Sequence, residues 1–258
     1  KQSDFPAPPV AEVHPDTFTN FGKQRIDNYY WMKDKTNPKV IEYIKAENAY
    51  TDTVMASTRD LQQKIYDEIL GRIKEDDESY PTYDDGYYYY SRTEKGKQYR
   101  TYCRRKGSMD APEEVIFDVN KLAAGKQAFI FRGYVINPDN SKAAYFYNET
   151  GSYAEFTMKV RDLASGQDVG FAVEGAASVA WANDNRTLFY SAIDHTLRSS
   201  KIFRRELDAA EGTLVYEEKD AKFSTYVSAT KTKQFIFITC GSSTTSDERY
   251  ISADRPTD

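Results

Sequence analysis

A polar turn followed by a strongly apolar strand recurs three times in this chain at nearly constant spacing. The turns occupy residues 137–142, 182–187 and 229–233, and the apolar runs that follow them are 143–147, 188–190 and 235–238. Asp139 and Asp184 are 45 residues apart, and Asp184 and Thr230 are 46 residues apart. This repeat constrains the fold more than any other feature, because each copy is expected to form the same supersecondary unit.

The second half of each repeat also follows one pattern. Residues 158–166 and 202–208 each predict a strand that carries outward charges and runs into a turn. Residues 177–181 form an alternating strand ahead of their unit. A period near 45 residues with about four strands per unit is typical of β-propeller blades, which bury their faces against neighbouring blades. A solenoid is the competing interpretation, but the units lack helices and a Leu/Asn ladder.

An earlier and more divergent unit precedes the three repeats. Tyr87 to Tyr90 and the stretch from Tyr99 to Arg105 predict a hairpin closed by the Gly-containing loop 94–97, and residues 115–118 predict a further strand. Four consecutive tyrosines are also compatible with a base-stacking platform. A strand buried on both faces is favoured, because the chain has 35 Lys+Arg against 40 Asp+Glu and no basic field for a nucleic acid.

The sequence therefore predicts a mainly β fold, an incomplete propeller of about 3.5 blades of four-stranded antiparallel sheet. The predicted units are 82–130, 131–174, 175–223 and the partial unit 224–258. Propellers close with roughly four to eight blades, so these units leave two blade faces and several strand edges open. We expect the open faces to be apolar and two copies of the chain to form a homodimer through these faces or through edge strands.

Residues 1–80 follow a helical pattern and are predicted to form a segment separate from residues 81–258. Asn37 followed by Pro38 is a favourable helix start, and apolar residues recur after it at helical spacing. A second helical run follows residues 57–58 and ends at Gly71.

The acidic run at residues 75–78, just before Pro81, is predicted to be a solvated linker or an interdomain hinge. Mean hydropathy is -0.74 and no stretch approaches the roughly 20 apolar residues that cross a bilayer, so no membrane partner is expected. The first residue is Lys1 rather than Met, which is compatible with a removed targeting segment. The sequence does not distinguish between the cytoplasm and the periplasm as the compartment.

Few residues are suited to cofactor, metal or acid/base chemistry. Cys103 and Cys240 form no disulfide framework and no metal-binding spacing, and we interpret them as small buried side chains. His14 and His195 are the two histidines of the sequence, which leaves little of the usual acid/base chemistry near neutral pH. No cofactor and no metal are expected.

Two groups of motifs carry a family resemblance. Residues 22–34, with the sequence GKQRIDNYYWMKD, resemble the opening motif of the prolyl oligopeptidase family, and residues 38–48 continue the match. Residues 178–184 and 214–220 are similar to the branch of that family called oligopeptidase B, or protease II. The resemblance covers essentially the whole chain and corresponds to the N-terminal part of such an enzyme.

The resemblance implies a serine peptidase in which a seven-bladed propeller caps an α/β-hydrolase domain. It implies cleavage of short peptides after Arg or Lys, with the propeller admitting oligopeptides and excluding folded proteins. It also implies that the N-terminal helices, within residues 1–80, pack against the hydrolase domain of the same protein. The acidic residues that recognise a substrate Arg are expected mainly in that domain.

The sequence contains no G-x-S-x-G nucleophile motif, so the resemblance transfers no catalytic residue to this chain. Gly151-Ser152 and Gly241-Ser242 are interpreted as hairpin turns, and Asp194-His195 as sequence neighbours unable to form the required triad geometry. The triad is expected beyond Asp258, and the 258 residues alone are expected to be inactive. The alternative is a stand-alone, propeller-like binding or scaffold protein.

Overall fold

The computed structural model describes residues 5–258, and Lys1 lies outside that range. Contacts divide the chain into two compact units, with the boundary between Lys74 and Glu75. The first unit contains two long helices and a hairpin, and the second consists of four antiparallel sheets. The mainly β fold class predicted from the repeat is confirmed.

Residues 16–27 form a β-hairpin that the helical interpretation of this region does not include. Its strands are β1 (Asp16–Asn20) and β2 (Lys23–Asp27), which pair in antiparallel register. Phe21 and Gly22 join them with φ angles of 52° and 74°. Two consecutive positive φ angles are typical of a type I′ turn, and Gly is suited to the second position because it has no Cβ.

The helices follow in close succession. A 3₁₀ turn at Tyr30–Lys33 precedes helix α1 (Pro38–Met55), and a second 3₁₀ turn at Ala56–Thr58 leads into helix α2 (Arg59–Gly71). The Asn37 side chain accepts a hydrogen bond from the backbone N–H of Lys39 at 3.0 Å, and Pro38 occupies the first turn. The predicted helix start is confirmed, because Asn37 caps the backbone donors that have no partner inside the helix.

Both helices leave their apolar residues accessible. Val40 is buried in α1, whereas α2 has no buried residue. Leu61, Ile65 and Ile69, which share one face of α2, are about half exposed, at 57%, 48% and 56%. No helix in the described part of the chain is long and apolar enough to cross a membrane.

The second unit contains four sheets in chain order. The first sheet comprises β3 (Asp77–Glu78), β4 (Thr82–Asp84), β5 (Tyr87–Thr93), β6 (Thr101–Lys106) and β7 (Glu114–Asp118). After the short helix α3 (Val119–Ala123), the second sheet comprises β8 (Ile130–Ile136), β9 (Lys142–Asn148), β10 (Thr157–Asp162) and β11 (Asp168–Glu174). The third comprises β12 (Ala176–Trp181), β13 (Thr187–Ile193), β14 (Ser199–Glu206) and β15 (Thr213–Glu217), and the fourth β16 (Ser224–Ala229), β17 (Phe235–Gly241) and β18 (Ser246–Ser252).

Part of the predicted acidic linker belongs to the first sheet. Asp77 and Glu78 pair with Thr93 and Arg92 of β5, so the interpretation of residues 75–78 as a linker is wrong for these two positions. Their side chains are exposed, as expected for a charged run. The backbone pairs because β4 covers only one half of β5 and leaves its other half free for β3.

Each sheet packs face to face on the next, and the aromatic and aliphatic side chains between them form three core clusters. Phe117 and Tyr145 meet between the first and second sheets with ring centroids 4.9 Å apart. Met158 packs between the second and third sheets, and Phe189 and Ile236 pack between the third and fourth. A single sheet of this size buries little alone, so this mutual burial holds the unit together.

The two sheets at the ends of the series have different outer faces. On the fourth sheet, Tyr226, Phe235 and Tyr250 lie on the face away from the third sheet and are 49%, 37% and 68% exposed. The outer face of the first sheet carries a charged network, in which Glu113 accepts hydrogen bonds from Tyr90 and Arg92. The same face also carries Tyr83 and Val115, which are 61% and 50% exposed, so the outer face of the first sheet is part apolar and part charged.

The repeated polar turns bond to one another from sheet to sheet. The links are Asn140 to the Asp85 backbone at 3.4 Å, Asn137 to Asn185 at 3.1 Å, Asn183 to the Lys233 backbone at 2.8 Å, and a Lys233–Asp85 ion pair. The turns thus join all four sheets at one end. This explains why the turns at residues 137–142 and 182–187 are rich in Asn and Asp.

Candidate functional site

The candidate site lies at the end of the sheets opposite these turns, which we call the connector end. In the second sheet, the register places Ile130 opposite Asn148, and Tyr147 and Glu174 both opposite Thr157. The start of β8, the end of β9, the start of β10 and the end of β11 therefore coincide. The segments that lead from one sheet into the next begin and end here, so corresponding loops of neighbouring sheets meet.

A cavity of about 650 Å³ opens at the connector end between the second and third sheets. Phe156 supplies an aromatic wall, with the guanidinium of Arg132 5.3 Å from the centroid of its ring, and Ile193 supplies an aliphatic wall. Four carboxylates also line the cavity, one from each of Glu149, Glu155, Glu174 and Asp194. The site can therefore bind the apolar stem and the cationic head of a long basic side chain.

Two of these four carboxylates are neutralised by neighbours. Lys126 pairs with Glu149 at 2.8 Å, and Arg198 approaches Asp194 at 3.6 Å. Within residues 5–258, the carboxylates of Glu155 and Glu174 form no ion pair with a basic side chain, and both residues are exposed. The cavity therefore keeps an excess of negative charge at neutral pH.

The local turn chemistry keeps Asp194 ionised. A hydrogen bond from the Thr196 hydroxyl to the Asp194 carboxylate, at 2.5 Å, holds the pKa of that carboxyl below its usual range. The backbone N–H groups of Thr196 and Arg198 donate to the same carboxylate oxygen. Asp194 is thus a fixed anion at the cavity wall.

Gly175 forms the connector between β11 and β12 and part of the cavity lining. Its φ is +68°, and a Cβ there would lie 3.0 Å from Cγ1 of Ile193. A larger residue would be strained in its backbone and crowded against Ile193. The close approach of the second and third sheets at the cavity depends on this glycine.

A second cavity, of about 430 Å³, lies at the connector end between the first and second sheets. Its lining is largely aromatic and includes Tyr99, Tyr102, Phe129, Phe131 and Tyr153. Tyr153 belongs to the loop that joins β9 to β10, and 87% of its surface is accessible. Residues of this loop thus contribute to both cavities.

The structure does not bring the sequence's candidate nucleophiles and histidines into one site. Asp194 bonds to Thr196 and Arg198, and His195 follows it in an exposed turn. The Ser152 hydroxyl accepts hydrogen bonds from the backbone of residues 154 and 155, and Ser242 accepts similar bonds from residues 244 and 245. Both serines therefore stabilise turns, as their sequence context predicts.

The two cysteines are buried and free. Burial, reinforced by the negative charge of Glu113, raises the pKa of the Cys103 thiol to about 12. Cys103 is therefore a neutral thiol at physiological pH, unsuited to nucleophilic attack. In the part of the chain that the structure describes, no group of three or more His, Cys, Asp or Glu side chains is arranged to hold a metal ion.

Sequence reasoning missed the acidic cavity because its residues are dispersed. Glu149, Glu155, Glu174 and Asp194 come from loops and strand ends of two sheets, and no short motif contains them. A usable signal was present in the order of strands. In an up-and-down sheet, the end of the second strand and the end of the fourth strand lie on the same side, which places Glu149 near Glu174.

The fold and the sequence together define the family. Residues 8–258 match the family model described as prolyl oligopeptidase, N-terminal beta-propeller domain. The chain belongs to the prolyl oligopeptidase family, and the matched part is its propeller domain.

Particular relatives place the chain within that family. It is 35% identical to dipeptidyl aminopeptidase BI of Pseudoxanthomonas mexicana over 91% of the chain and 35% of the relative. It is 31% identical to protease 2 of Moraxella lacunata over 96% of the chain and 37% of the relative. The chain thus spans little more than a third of the length of these two relatives.

Solved structures of oligopeptidase B share the fold. The enzyme from Leishmania major matches with a TM-score of 0.88 at 28% identity, over 96% of this chain and 38% of that one. A closed form of the Trypanosoma brucei enzyme with covalently bound antipain matches with a TM-score of 0.87 at 25% identity, again over 96% and 38%. The resemblance to oligopeptidase B, or protease II, suggested by the sequence motifs is confirmed.

Proposed function

We propose that this chain is the propeller part of a serine oligopeptidase that hydrolyses short peptides after Arg or Lys. The observation that carries the proposal is the match of nearly the whole chain to oligopeptidase B structures, together with the match of residues 8–258 to the family's propeller domain. In this proposal the propeller is a size-selective cap, and the chemistry belongs to a hydrolase domain outside these 258 residues.

The proposed reaction is acyl transfer to a serine. A His base would take the proton of the serine hydroxyl as the oxygen attacks the peptide carbonyl, and hydrogen-bond donors would stabilise the resulting oxyanion. The described chain brings no Ser, His and carboxylate together in that arrangement. Its role would be to exclude bulk water and folded proteins, and to hold the peptide near the hydrolase domain.

The acidic cavity supports a basic substrate. Glu155 and Glu174 present carboxylates that form no internal ion pair, beside the side chains of Phe156 and Ile193. A guanidinium or ammonium group in the cavity would gain charge-assisted hydrogen bonds, and its alkyl stem would contact these two apolar side chains. A peptide that carries Arg or Lys matches this lining better than an acidic or purely polar peptide.

The exposed apolar faces of α1 and α2 support docking on the hydrolase domain of the same protein. Ile41 and Ile44 of α1, and Leu61, Ile65 and Ile69 of α2, are each between 41% and 57% exposed. A row of half-exposed aliphatic side chains on an amphipathic helix is typical of a surface that another domain covers. In the absence of that domain, these faces have no described cover.

We also propose that the isolated 258-residue chain forms a homodimer. Tyr226, Phe235 and Tyr250 present an aromatic face on the fourth sheet, and β18 presents an unpaired edge beside it. A second copy could cover both features by face-to-face packing. Light scattering at tens of micromolar is expected to show a dimer, and Tyr250→Ser is expected to shift it toward monomer.

The central test compares the 258-residue chain with the polypeptide encoded by the complete open reading frame. We expect the complete product to release fluorophore from a benzyloxycarbonyl-Arg-Arg-aminomethylcoumarin substrate, and the 258-residue chain to release none. A matched substrate with Gln in place of both Arg residues is the control for basic specificity. Turnover by the 258-residue chain, or equal rates on both substrates, would contradict the proposal.

A second candidate activity follows from the relative with the higher identity. The Pseudoxanthomonas protein, at 35% identity, is named a dipeptidyl aminopeptidase. An enzyme of that kind would release dipeptides from a free N-terminus, whereas an oligopeptidase B type would cut after internal Arg or Lys. Mass spectrometry of the products from a ten-residue peptide, with free and with acetylated N-terminus, separates the two activities.

A further inference from the structure

The smaller cavity at the connector end, between the first and second sheets, has no role in the function proposed so far. We call it the aromatic cavity, because rings make up most of its lining. Phe129 is buried, Tyr99, Tyr102 and Phe131 are partly buried, and Tyr153 adds a largely exposed ring. Its volume of about 430 Å³ lies within the range of roughly 300–1,000 Å³ that is usual for sites that bind small molecules.

The two cavities at the connector end carry opposite charge. Among the described residues, no Asp or Glu lines the aromatic cavity, and its one charged lining residue is Arg100. The acidic cavity is lined by four carboxylates and by no basic residue. A cationic group that suits the acidic cavity is therefore disfavoured in the aromatic cavity, where a negative charge is favoured.

The first sheet orients the Arg100 side chain toward the aromatic cavity. Tyr102 meets Phe131 of the second sheet with ring centroids 5.2 Å apart, and side-chain alternation places Arg100 on the same face as Tyr102. Nη1 of Arg100 donates a hydrogen bond to Oγ of Ser91 at 3.0 Å. Ser91 pairs with Tyr102 across the two strands and is 8% exposed, so it holds the guanidinium from a buried position.

The Arg100 guanidinium keeps hydrogen-bond donors for a ligand. A guanidinium has five N–H donors, and the bond to Ser91 uses one of them. Within residues 5–258, Arg100 forms no ion pair with a carboxylate, whereas Arg92 and Arg104 of the same sheet each pair with a glutamate. The planar guanidinium of Arg100 can therefore bind a carboxylate through two parallel hydrogen bonds.

The aromatic wall is ordered before any ligand binds. The Tyr99 hydroxyl donates to the backbone carbonyl of Phe129 at 3.1 Å, and the two rings meet edge to face with centroids 6.2 Å apart. Asn120 bonds to both the backbone N–H and the backbone C=O of Tyr99. Because these groups are already in place, binding does not cost the free energy of assembling the wall.

We propose that the aromatic cavity binds an apolar carboxylate. The carboxylate would pair with the guanidinium of Arg100, and an aromatic or large aliphatic group would pack against the rings of Phe129 and Phe131. The carboxyl-terminal residue of a peptide and a free aryl acid share this chemistry. The proposal does not depend on the peptidase function, because it rests on the lining and charge of this cavity alone.

The test measures binding by the 258-residue chain with isothermal titration calorimetry. The probe is the peptide acetyl-Gly-Ser-Gly-Ser-Phe with a free carboxyl terminus. The same peptide with a carboxyl-terminal amide keeps the ring and loses the charge, and we expect it to bind about ten-fold more weakly. Replacing Phe by Ser in the acid peptide keeps the charge and loses the ring, and we expect a similar loss.

Arg100→Gln tests the cationic side of the cavity. It is expected to weaken binding of the acid peptide about ten-fold and to leave binding of the amide peptide unchanged, so that the two losses are coupled in a double-mutant cycle. Arg100→Lys keeps the charge and should restore part of the affinity. The matched control is Arg59→Gln, which makes the same change in net charge at an exposed arginine of α2 that lines neither cavity.

Tyr153→Ala tests the aromatic side. It is expected to weaken binding of the acid and amide peptides alike, by three- to ten-fold, because it removes a ring and leaves the charge. The matched control is Tyr80→Ala, at a tyrosine that is 97% exposed and lines neither cavity.

Titration with 3-phenylpropanoate separates the two sources of the ligand. Affinity equal to that of the acid peptide would support a free aryl acid, and affinity at least ten-fold weaker would support a peptide carboxyl terminus. Equal affinity for the acid and amide peptides, equal losses from Arg100→Gln and Arg59→Gln, or no binding of either ligand at millimolar concentration would overturn the inference. Cleavage after Arg by the complete gene product is a separate measurement, so the peptidase proposal would survive that failure.

Discussion

The helical unit, residues 5–74, and the sheet unit, Glu75–Asp258, are held together in different ways. In the helices of the first unit, Val40 is the one buried residue, and order comes from local features such as the Asn37 cap and the side-chain bond from Tyr43 to Glu47. The sheet unit has three core clusters between successive sheets. Local rules alone can specify helices, but burial against another surface gives them most of their stability in a folded protein.

This difference in burial shows which parts of the chain stabilise its fold. The sheet unit supplies its own core, whereas the helical unit presents apolar faces that nothing described covers. Mutations at equivalent-looking apolar positions should therefore have unequal effects in the two units. The sequence offers a natural reporter for each, because its two tryptophans are Trp31 in the helical unit and Trp181 in the sheet unit.

The largest contrast is expected between Phe189→Ala and Ile65→Ala. Phe189 is fully buried between the third and fourth sheets, and its truncation should lower the free energy of unfolding of the sheet unit by about 3–5 kcal/mol. Ile65 is 48% exposed, and its truncation should change stability by less than about 0.5 kcal/mol. Urea unfolding followed by Trp181 fluorescence and by far-ultraviolet circular dichroism measures both.

For Phe189→Ala a Trp31→Phe background leaves Trp181 alone to report on the sheet unit, and for Ile65→Ala the helical signal at 222 nm reports on the helical unit. Comparable losses from Phe189→Ala and Ile65→Ala would show that the face of α2 is buried in solution. The contrast between the two units would then be wrong.

A smaller effect is expected from the cap of α1. Asn37→Ala removes the side-chain acceptor for the Lys39 N–H and should destabilise α1 by about 1 kcal/mol. Hydrogen exchange of the first amides of α1 is expected to accelerate about five-fold, with the sheet amides unchanged. Asn37→Asp keeps the side-chain acceptor and is the control. Equal exchange rates in both variants would show that the Asn37 cap does not stabilise α1.

The free energy of unfolding of the sheet unit should fall at acid pH, because carboxylates in its turns become protonated. Burial raises the pKa of Asp184, but hydrogen bonds from the Thr187 hydroxyl and from the backbone of residues 186 and 187 outweigh this effect. They hold the pKa of Asp184 below its ordinary value. A carboxyl with a lowered folded-state pKa adds stability above its unfolded pKa of about 3.9, and that stability is lost as pH falls through the folded value.

Asp184→Asn is therefore expected to reduce stability at pH 7 by about 1 kcal/mol and to flatten its decline below about pH 4. Thermal unfolding between pH 2.5 and pH 7 tests this. Asp110→Asn, at an exposed carboxylate with no described hydrogen bond, is the matched control. Parallel pH profiles for the wild type and Asp184→Asn would contradict the assignment.

The smallest effect is expected at the Glu68–Arg72 pair of the helical unit. Both side chains are more than half exposed, so Glu68→Gln should cost less than about 0.5 kcal/mol, and the cost should vanish in 1 M salt. The helical signal at 222 nm during thermal unfolding, at low and high salt, measures it. A loss of 2 kcal/mol would mean that the pair is buried by a partner.

Much of the sheet unit could be predicted because its signals are local and repeated. The turn at residues 137–142 and the apolar run at 143–147 together predict β9, and the same pattern predicts β13 and β17. The helix start at Asn37 was equally predictable, since a capping side chain and a following proline act within one turn. Repetition helps because one pattern is tested several times in one sequence.

Features that depend on distant partners could not be predicted. The β1–β2 hairpin reverses direction at Phe21, although Phe rarely takes a positive φ. Residues 77–78 form a strand because β5 has a free edge for them to pair with. The charged network on the outer face of the first sheet forms where Tyr90, Arg92 and Glu113 meet across separate strands and a loop. The candidate cavities likewise combine loop residues that share no motif.

The chain of bonds between the polar turns has a consequence at the level of the gene. Each turn meets its counterpart in a neighbouring sheet, as when Asn185 bonds to Asn137 and Asn183 bonds to the backbone of Lys233. Deletion or duplication of one repeat, about 45 residues of coding sequence, would again bring one turn opposite another, although the Asn137–Asn185 contact itself needs the first two turns side by side. A rearrangement of half that length would set an amide against a strand, so viable changes in this gene should come in whole repeats.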